Sequence, residues 1–139
     1  MSEPAHVLVV AHQTAATPAL LAAVKERARR DRATFHLVVP RSAHGMHRVV
    51  DPEDSGEDET SRVLAEALPK LSDAAGRPVT GSAGDAEPLM AIHDAINLGR
   101  FDEIIISTLS PKVSRWLKLD LPSKLSGIGL PVTTVTPEE

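Results

Sequence analysis

The sequence contains no cysteine and no tyrosine, and its aromatic residues are one tryptophan and two phenylalanines. Without cysteine there can be no disulfide, no thiolate zinc site and no cysteine nucleophile. With so few rings, a core has to be built from Leu, Val, Ile and Ala, and base stacking on exposed aromatics is not expected. No apolar run approaches the length that spans a bilayer. An excess of positive charge is also missing, because 15 Lys and Arg against 19 Asp and Glu leave a net charge of -4. Neither nucleic acid nor an anionic membrane surface is therefore an expected partner. The opening MSEPAHVLVV lacks the basic start and cleavage site of a signal peptide, so a cytoplasmic location is expected.

What is present is an alternation of strands and helices. HVLVVAH (6–12) is a short β-branched run, the pattern of a strand buried on both faces. Thr17-Pro18 then offers a helix N-cap with proline at the first helical position. Leu20, Leu21, Val24 and Ala28 follow on one face, with Lys25, Glu26, Arg29 and Arg30 outside it. TFHLVVP (34–40) is a second strand. The segment 41–59 has no sustained period and carries six acidic residues toward its end, which predicts a mobile loop. From Thr60 to Ala75 the apolar spacing is helical, and Pro69 inside it predicts a kink or two short helices. PVTGSAG (78–84) is a weaker strand. Asp85 is placed to cap a helix that turns Leu89, Ile92 and Ile96 inward, with Gly99 as its left-handed terminator. FDEIIIST (101–108) is a strand, followed by a short helix capped by Ser110 with Pro111 in its first turn. A further turn near 121–126 and a last strand LPVTTVT (130–136) complete the order.

Five strands alternating with helices over 139 residues predict one domain, 1–139. The expected architecture is a three-layer α/β/α, Rossmann-like domain with a five-stranded parallel sheet. Such sheets take ligands beyond the carboxyl ends of their strands, where the strand order reverses. The expected ligand residues are thus His12, Gln13 and Thr14 after the first strand, Pro40 after the second, Gly84 and Asp85 after the third, and Ser107, Thr108 and Ser110 after the fourth.

The segment GDAEPLMAIHDAINLGRFDEIIIST (84–108) resembles the region between the third and fourth strands of the universal stress protein family. In that family a Gly-Asp opens a helix, and an acidic-apolar strand leads into a glycine loop. HVLVVAH, the variable stretch after the second strand and the final LPVTTV extend the resemblance over nearly the whole chain as an order of elements. The resemblance implies the adenine nucleotide alpha hydrolase-like sheet order 3-2-1-4-5 and an ATP or AMP site. Nucleotide-binding members carry Gly, two residues, Gly, nine residues, then Gly-Ser or Gly-Thr. In this chain those positions fall on Ser107, Ser110 and Asp120-Leu121, so the spacing is kept and every glycine is gone. Where such members place an aspartate after the first strand, this chain has His12-Gln13-Thr14.

Glycine lets a backbone come close to phosphate and take positive φ without strain. The hydroxyls and N–H groups of Ser107, Thr108 and Ser110 can still hold an anion, and Lys112 adds charge, but Pro111 offers no N–H and Asp120 repels phosphate. A degenerate nucleotide or anion site is the resulting expectation, with no cofactor required. His44 and His47, Trp116, and His6, His36 and His93 take structural or solvated readings, no metal site is expected, and no catalytic motif is present. The chain thus reads as a universal stress protein-like regulatory or binding protein without catalysis. The alternatives are an ATP-binding or ATP-hydrolysing switch with a serine-substituted loop, and a purely structural interaction module. Val132, Thr133, Thr134 and Val135 form a short uncharged edge strand, and a homodimer through it is expected. Many universal stress proteins dimerise there, so the resemblance implies the same.

Overall fold

A computed structural model of the chain describes residues 5–11, 17–30, 32–40, 56–84, 88–107 and 126–135. The elements run β1 (Ala5–Val10), α1 (Pro18–Arg30), β2 (Ala33–Pro40), α2 (Gly56–Ala75), β3 (Thr80–Gly84), α3 (Pro88–Leu98), β4 (Glu103–Ser107), a 3-10 turn at Ser126–Ile128, and β5 (Val132–Val135). The strands form one sheet in the order β3-β2-β1-β4-β5, and every adjacent pair is parallel. This is the expected three-layer α/β/α domain with strand order 3-2-1-4-5.

The period-two alternation of each strand divides its side chains between two cores. Val7, Val9, Phe35, Leu37, Val39 and Ile105 meet Leu20 and Val24 of α1 and Ala67 and Leu71 of α2. Leu8, Val10, Val38, Ile104 and Ile106 meet Ala91 and Ile92 of α3, with Ile128, Leu130 and Val132 packed beside them. Side chains of this kind contribute about 1.5–3 kcal/mol each when fully buried. The central strands β1 and β4 are apolar on both faces for this reason, as their unbroken β-branched runs require.

Helix ends follow local chemistry. In α1 the Leu20 N–H donates to Thr17 Oγ1 at 3.4 Å, the expected N-cap contact. At the end of α2, Gly76 takes φ +75°, and the N–H groups of Gly76 and Arg77 both donate to the Ser72 carbonyl, at 2.9 and 3.2 Å. That is a Schellman-type closure. The Ser72 hydroxyl accepts from Val79 N at 2.9 Å and so fastens the chain entering β3.

Several expectations need correction. α2 begins at Gly56, so the last four residues of the expected 41–59 loop belong to a helix. Acidic residues in a first helical turn are favoured by the helix dipole, which accounts for this start. α2 also continues as one helix through Pro69 rather than breaking in two. Pro69 and Ala65 both lie on its exposed side, so the Ala65 carbonyl left without a helical donor faces water. Gly99 is not left-handed, since among the described glycines only Gly76 and Gly129 have positive φ. Its N–H instead makes an ordinary helical bond to the Ala95 carbonyl at 3.0 Å. Finally, β1 spans Ala5–Val10, ending short of His12. The rest of the expected loop (41–55) and the helix expected after Ser110 lie outside the described residues.

Candidate functional site

The parallel register lines up one row of residues at the carboxyl edge of the sheet. Gly84 pairs with Pro40 across β3 and β2, Val10 pairs with Val38 and with Ile106, and Ser107 pairs with Val135. Ala11 follows β1 and is tied to β2 by its N–H bond to the Val38 carbonyl at 3.3 Å. From β1 the chain winds outward through β2 to β3, then crosses to β4 on the other side of β1. The order therefore reverses between β1 and β4, whose carboxyl ends carry Ala11 and Ser107. A crevice at such a switch point is where doubly wound sheets receive ligands. Ala11 is fully buried and Ser107 nearly so. α1 also starts at this edge, because it runs back antiparallel to the strands it connects.

No protein-family model matches the sequence, and no curated protein matches it as a relative. Solved structures do. A universal stress protein from Archaeoglobus fulgidus superposes with a TM-score of 0.61 at 17% identity, covering 94% of this chain and 93% of that one. A universal stress protein family protein from Arabidopsis thaliana, solved with AMP bound, gives a TM-score of 0.65 at 15% identity, covering 97% and 93%. A crystallised hypothetical protein gives 0.64 at 15% identity, covering 96% and 97%. The chain has the universal stress protein fold.

Within that fold, the described part of the expected site is Pro40, Gly84 and Ser107. Pro40 is the last residue of β2, a strand paired on both sides, where a missing N–H does least damage to the ladder. Gly84 has a packing role of its own. A Cβ there would come within 2.8 Å of Val38 Cγ1 and 2.9 Å of Ala91 Cβ, so glycine lets α3 close onto β3. Ser107 lies on β4 with Ile105 and Glu103, on the α1 side of the sheet. Pro40 and Gly84 are direct neighbours, while Ser107 is separated from them by β1. His12, Gln13, Thr14, Asp85, Thr108, Ser110, Lys112, Asp120 and Leu121 lie outside the described residues, as do His44, His47 and Trp116. Among the described residues no three His, Asp or Glu come together as a metal site.

The universal stress protein fold here also holds polar contacts that the sequence did not announce. Arg27, on the inward stripe of α1, is buried, and its Nε donates to Glu103 Oε1 at 2.8 Å while a second guanidinium nitrogen lies 2.8 Å from the same oxygen. The two side chains keep only 8% and 19% of their surface, so the pair clamps α1 to the start of β4 at the end opposite the carboxyl edge. The spacing from Leu20 and Val24 placed Arg27 inward, and the alternation with Ile105 placed Glu103 on the same side. On the α3 side, the His6 ring meets Thr34 at 2.8 Å, and the His36 ring meets Thr80 at 2.7 Å and Ser82 at 3.0 Å. Both histidines keep structural roles, now with identified partners.

At the outer end, β5 has β4 on one side and no described strand on the other. Val132 packs into the α3-side core and Val135 into the other, while Thr133 and Thr134 are exposed.

Proposed function

We propose that the chain is a non-catalytic binding protein of the universal stress protein type, active in the cytoplasm, which takes a small anionic or nucleotide ligand weakly at the crevice between β1 and β4. The observation that carries this reading is the switch point at Ala11 and Ser107, within a fold whose Arabidopsis neighbour was solved with AMP bound. A bound nucleotide would supply the phosphate charge for which Ser107, Thr108, Ser110 and Lys112 are the candidate partners. The same loop explains why the grip is weak, since serines replace the glycines, Pro111 lacks a donor and Asp120 adds a repelling carboxylate.

Titration calorimetry with ATP and with AMP tests this. The wild type should bind in the high micromolar range or weaker, and Ser107→Gly, Ser110→Gly and Asp120→Gly together should tighten binding by about tenfold or more. Tight wild-type binding with steady phosphate release would establish the hydrolysing switch instead. No binding by either protein would leave the interaction module.

The same reading includes a homodimer along β5. The strand is uncharged, lies at the sheet edge and exposes Thr133 and Thr134, so an antiparallel copy about a two-fold axis would satisfy its outward backbone groups. Light scattering at micromolar concentration should give a dimer that Thr134→Pro, which removes a central N–H, and Val135→Lys both weaken. A monomeric wild type, or a dimer indifferent to both changes, removes this interface.

A further inference from the structure

β3 is the other edge of the sheet, and its residues Thr80, Gly81, Ser82, Ala83 and Gly84 bring little apolar side-chain area to hold it. One residue of the neighbouring strand grips it twice. His36 Nδ1 meets Thr80 Oγ1 at 2.7 Å, and His36 Nε2 meets Ser82 Oγ at 3.0 Å. Thr80 is the direct partner of His36 in the parallel register, and Ser82 is the next residue on the same face. Phe101, from the connection between α3 and β4, leans on the imidazole with ring centroids 6.3 Å apart. We propose that His36 is a proton-sensitive latch, which fastens edge strand β3 to the sheet when its ring is neutral and loosens it when the ring is charged.

A neutral imidazole has one donor and one acceptor nitrogen, and two hydroxyls can complement both at once. Protonation makes both nitrogens donors, so the hydroxyl that had been donating must turn round, and a charge must sit against Phe101 and the α3-side core. Among the described residues, the surroundings offer that charge no compensation. On β1, the residue opposite His36 is Leu8, and His6 on the same face is bonded to Thr34. β3 contributes only hydroxyls. α3 packs Leu89, Ala91, Ile92, Ala95 and Ile96 into this core and keeps His93 and Asp94 exposed. Arg100 and Asp102, which flank Phe101, are exposed too, and the Asp102 carboxylate accepts from the His6 backbone N–H at 2.8 Å.

Burial accordingly holds the His36 pKa below its ordinary value of 6.5. A folded pKa below the unfolded one means that the unfolded or opened state binds more protons in the interval between them. The contribution of the latch is complete above the ordinary value and is lost as the pH falls through the folded pKa. Histidine is the side chain that brings such a change into a mild pH range. Because β3 ends at Gly84, two residues past Ser82, loosening it also loosens one wall of the carboxyl edge. The latch operates whether or not the crevice takes a ligand.

Amide hydrogen exchange from about pH 7.5 to about pH 5, corrected for intrinsic rates, tests the latch. Protection of β3 should fall several-fold toward acid while β1 and β4 change little. In His36→Gln, which keeps one donor and one acceptor but does not titrate, β3 protection should be independent of pH, and His6→Gln should behave as wild type. Thr80→Val with Ser82→Ala supplies a second reading that does not depend on His36→Gln folding: β3 should exchange fast at every pH. A flat wild-type profile, an equal acid loss in His36→Gln, or a slow β3 in the hydroxyl-free variant would each overturn the proposal.

Discussion

The two faces of the sheet solve the same burial problem with different polar chemistry. On the α1 and α2 side, a large apolar cluster adjoins the charged pair of Arg27 and Glu103, which is nearly closed off from water. On the α3 side the cluster is smaller, and its outer margin is a row of histidines and hydroxyls across β1, β2 and β3. One face is therefore fastened by charge and the other by imidazole–hydroxyl hydrogen bonds. The switch point of the strand order, at Ala11 and Ser107, lies along the carboxyl edge of the sheet.

The largest expected break in that comparison comes from the charge pair. Arg27→Met keeps much of the side-chain volume but leaves the Glu103 carboxylate without its partner in a mostly buried position. Breaking a fully buried pair costs about 3–5 kcal/mol, and because Glu103 keeps some contact with water, a loss of about 2–3 kcal/mol is expected. Arg29→Met is the control, since Arg29 and Glu26 are 3.9 Å apart with both side chains mostly exposed. It should cost no more than about 0.5 kcal/mol. Urea denaturation of the two variants measures the difference. Equal losses would mean that the Arg27 pair contributes no more than a solvated one.

The strands and helices were legible because periodicity and run length reflect burial, whereas the sheet order 3-2-1-4-5 was implied by the family resemblance. VLVVA (7–11) and III (104–106) are apolar on consecutive positions, as a strand covered on both faces needs, and α1 declared itself through Thr17-Pro18 and a helical stripe. What escaped was set by long-range partners or by a competing local preference. Arginine on a helix is normally a solvent residue, and Arg27 becomes an interior one only through Glu103, 76 positions away. The partners of His36 stand on a strand that was itself weakly marked. The acidic start of α2 looked like loop because charge and lack of period outweighed the dipole preference of a first turn. Gly99 was given a left-handed terminus on residue type alone, yet its conformation is set by the helix continuing to the Ala95 carbonyl. For the site, the strand ends were predictable from topology, and Pro40, Gly84 and Ser107 do stand at the expected edge. The other expected ligand residues fall in connecting segments outside the described residues, and whether such segments hold an anion depends on backbone conformation rather than residue type.

A smaller effect sharpens the comparison at the level of packing. β3 places Gly81 toward α2 and Gly84 toward α3, and a Cβ at either position would be too close to a neighbour. At Gly81 the nearest atoms are Leu64 Cδ2 and Leu68 Cδ2, both at 2.9 Å, with the Leu37 carbonyl oxygen at 3.3 Å. The leucine tips can rotate away, so most of the crowding is relieved without moving backbone. At Gly84 the neighbours are Val38 Cγ1 at 2.8 Å and Ala91 Cβ at 2.9 Å. A valine methyl on a strand is fixed by its stiff χ1, and an alanine Cβ moves only with its helix. Relief at Gly84 therefore requires α3 to shift as a body. Gly84→Ala should cost about 1–3 kcal/mol, the range for overpacking a well-filled contact, and Gly81→Ala less than about 1 kcal/mol. Thermal or urea unfolding of the two single variants gives the ranking. If Gly81→Ala proves the more damaging, the α2 face is the rigid one, and the assignment of adaptable packing to it is wrong.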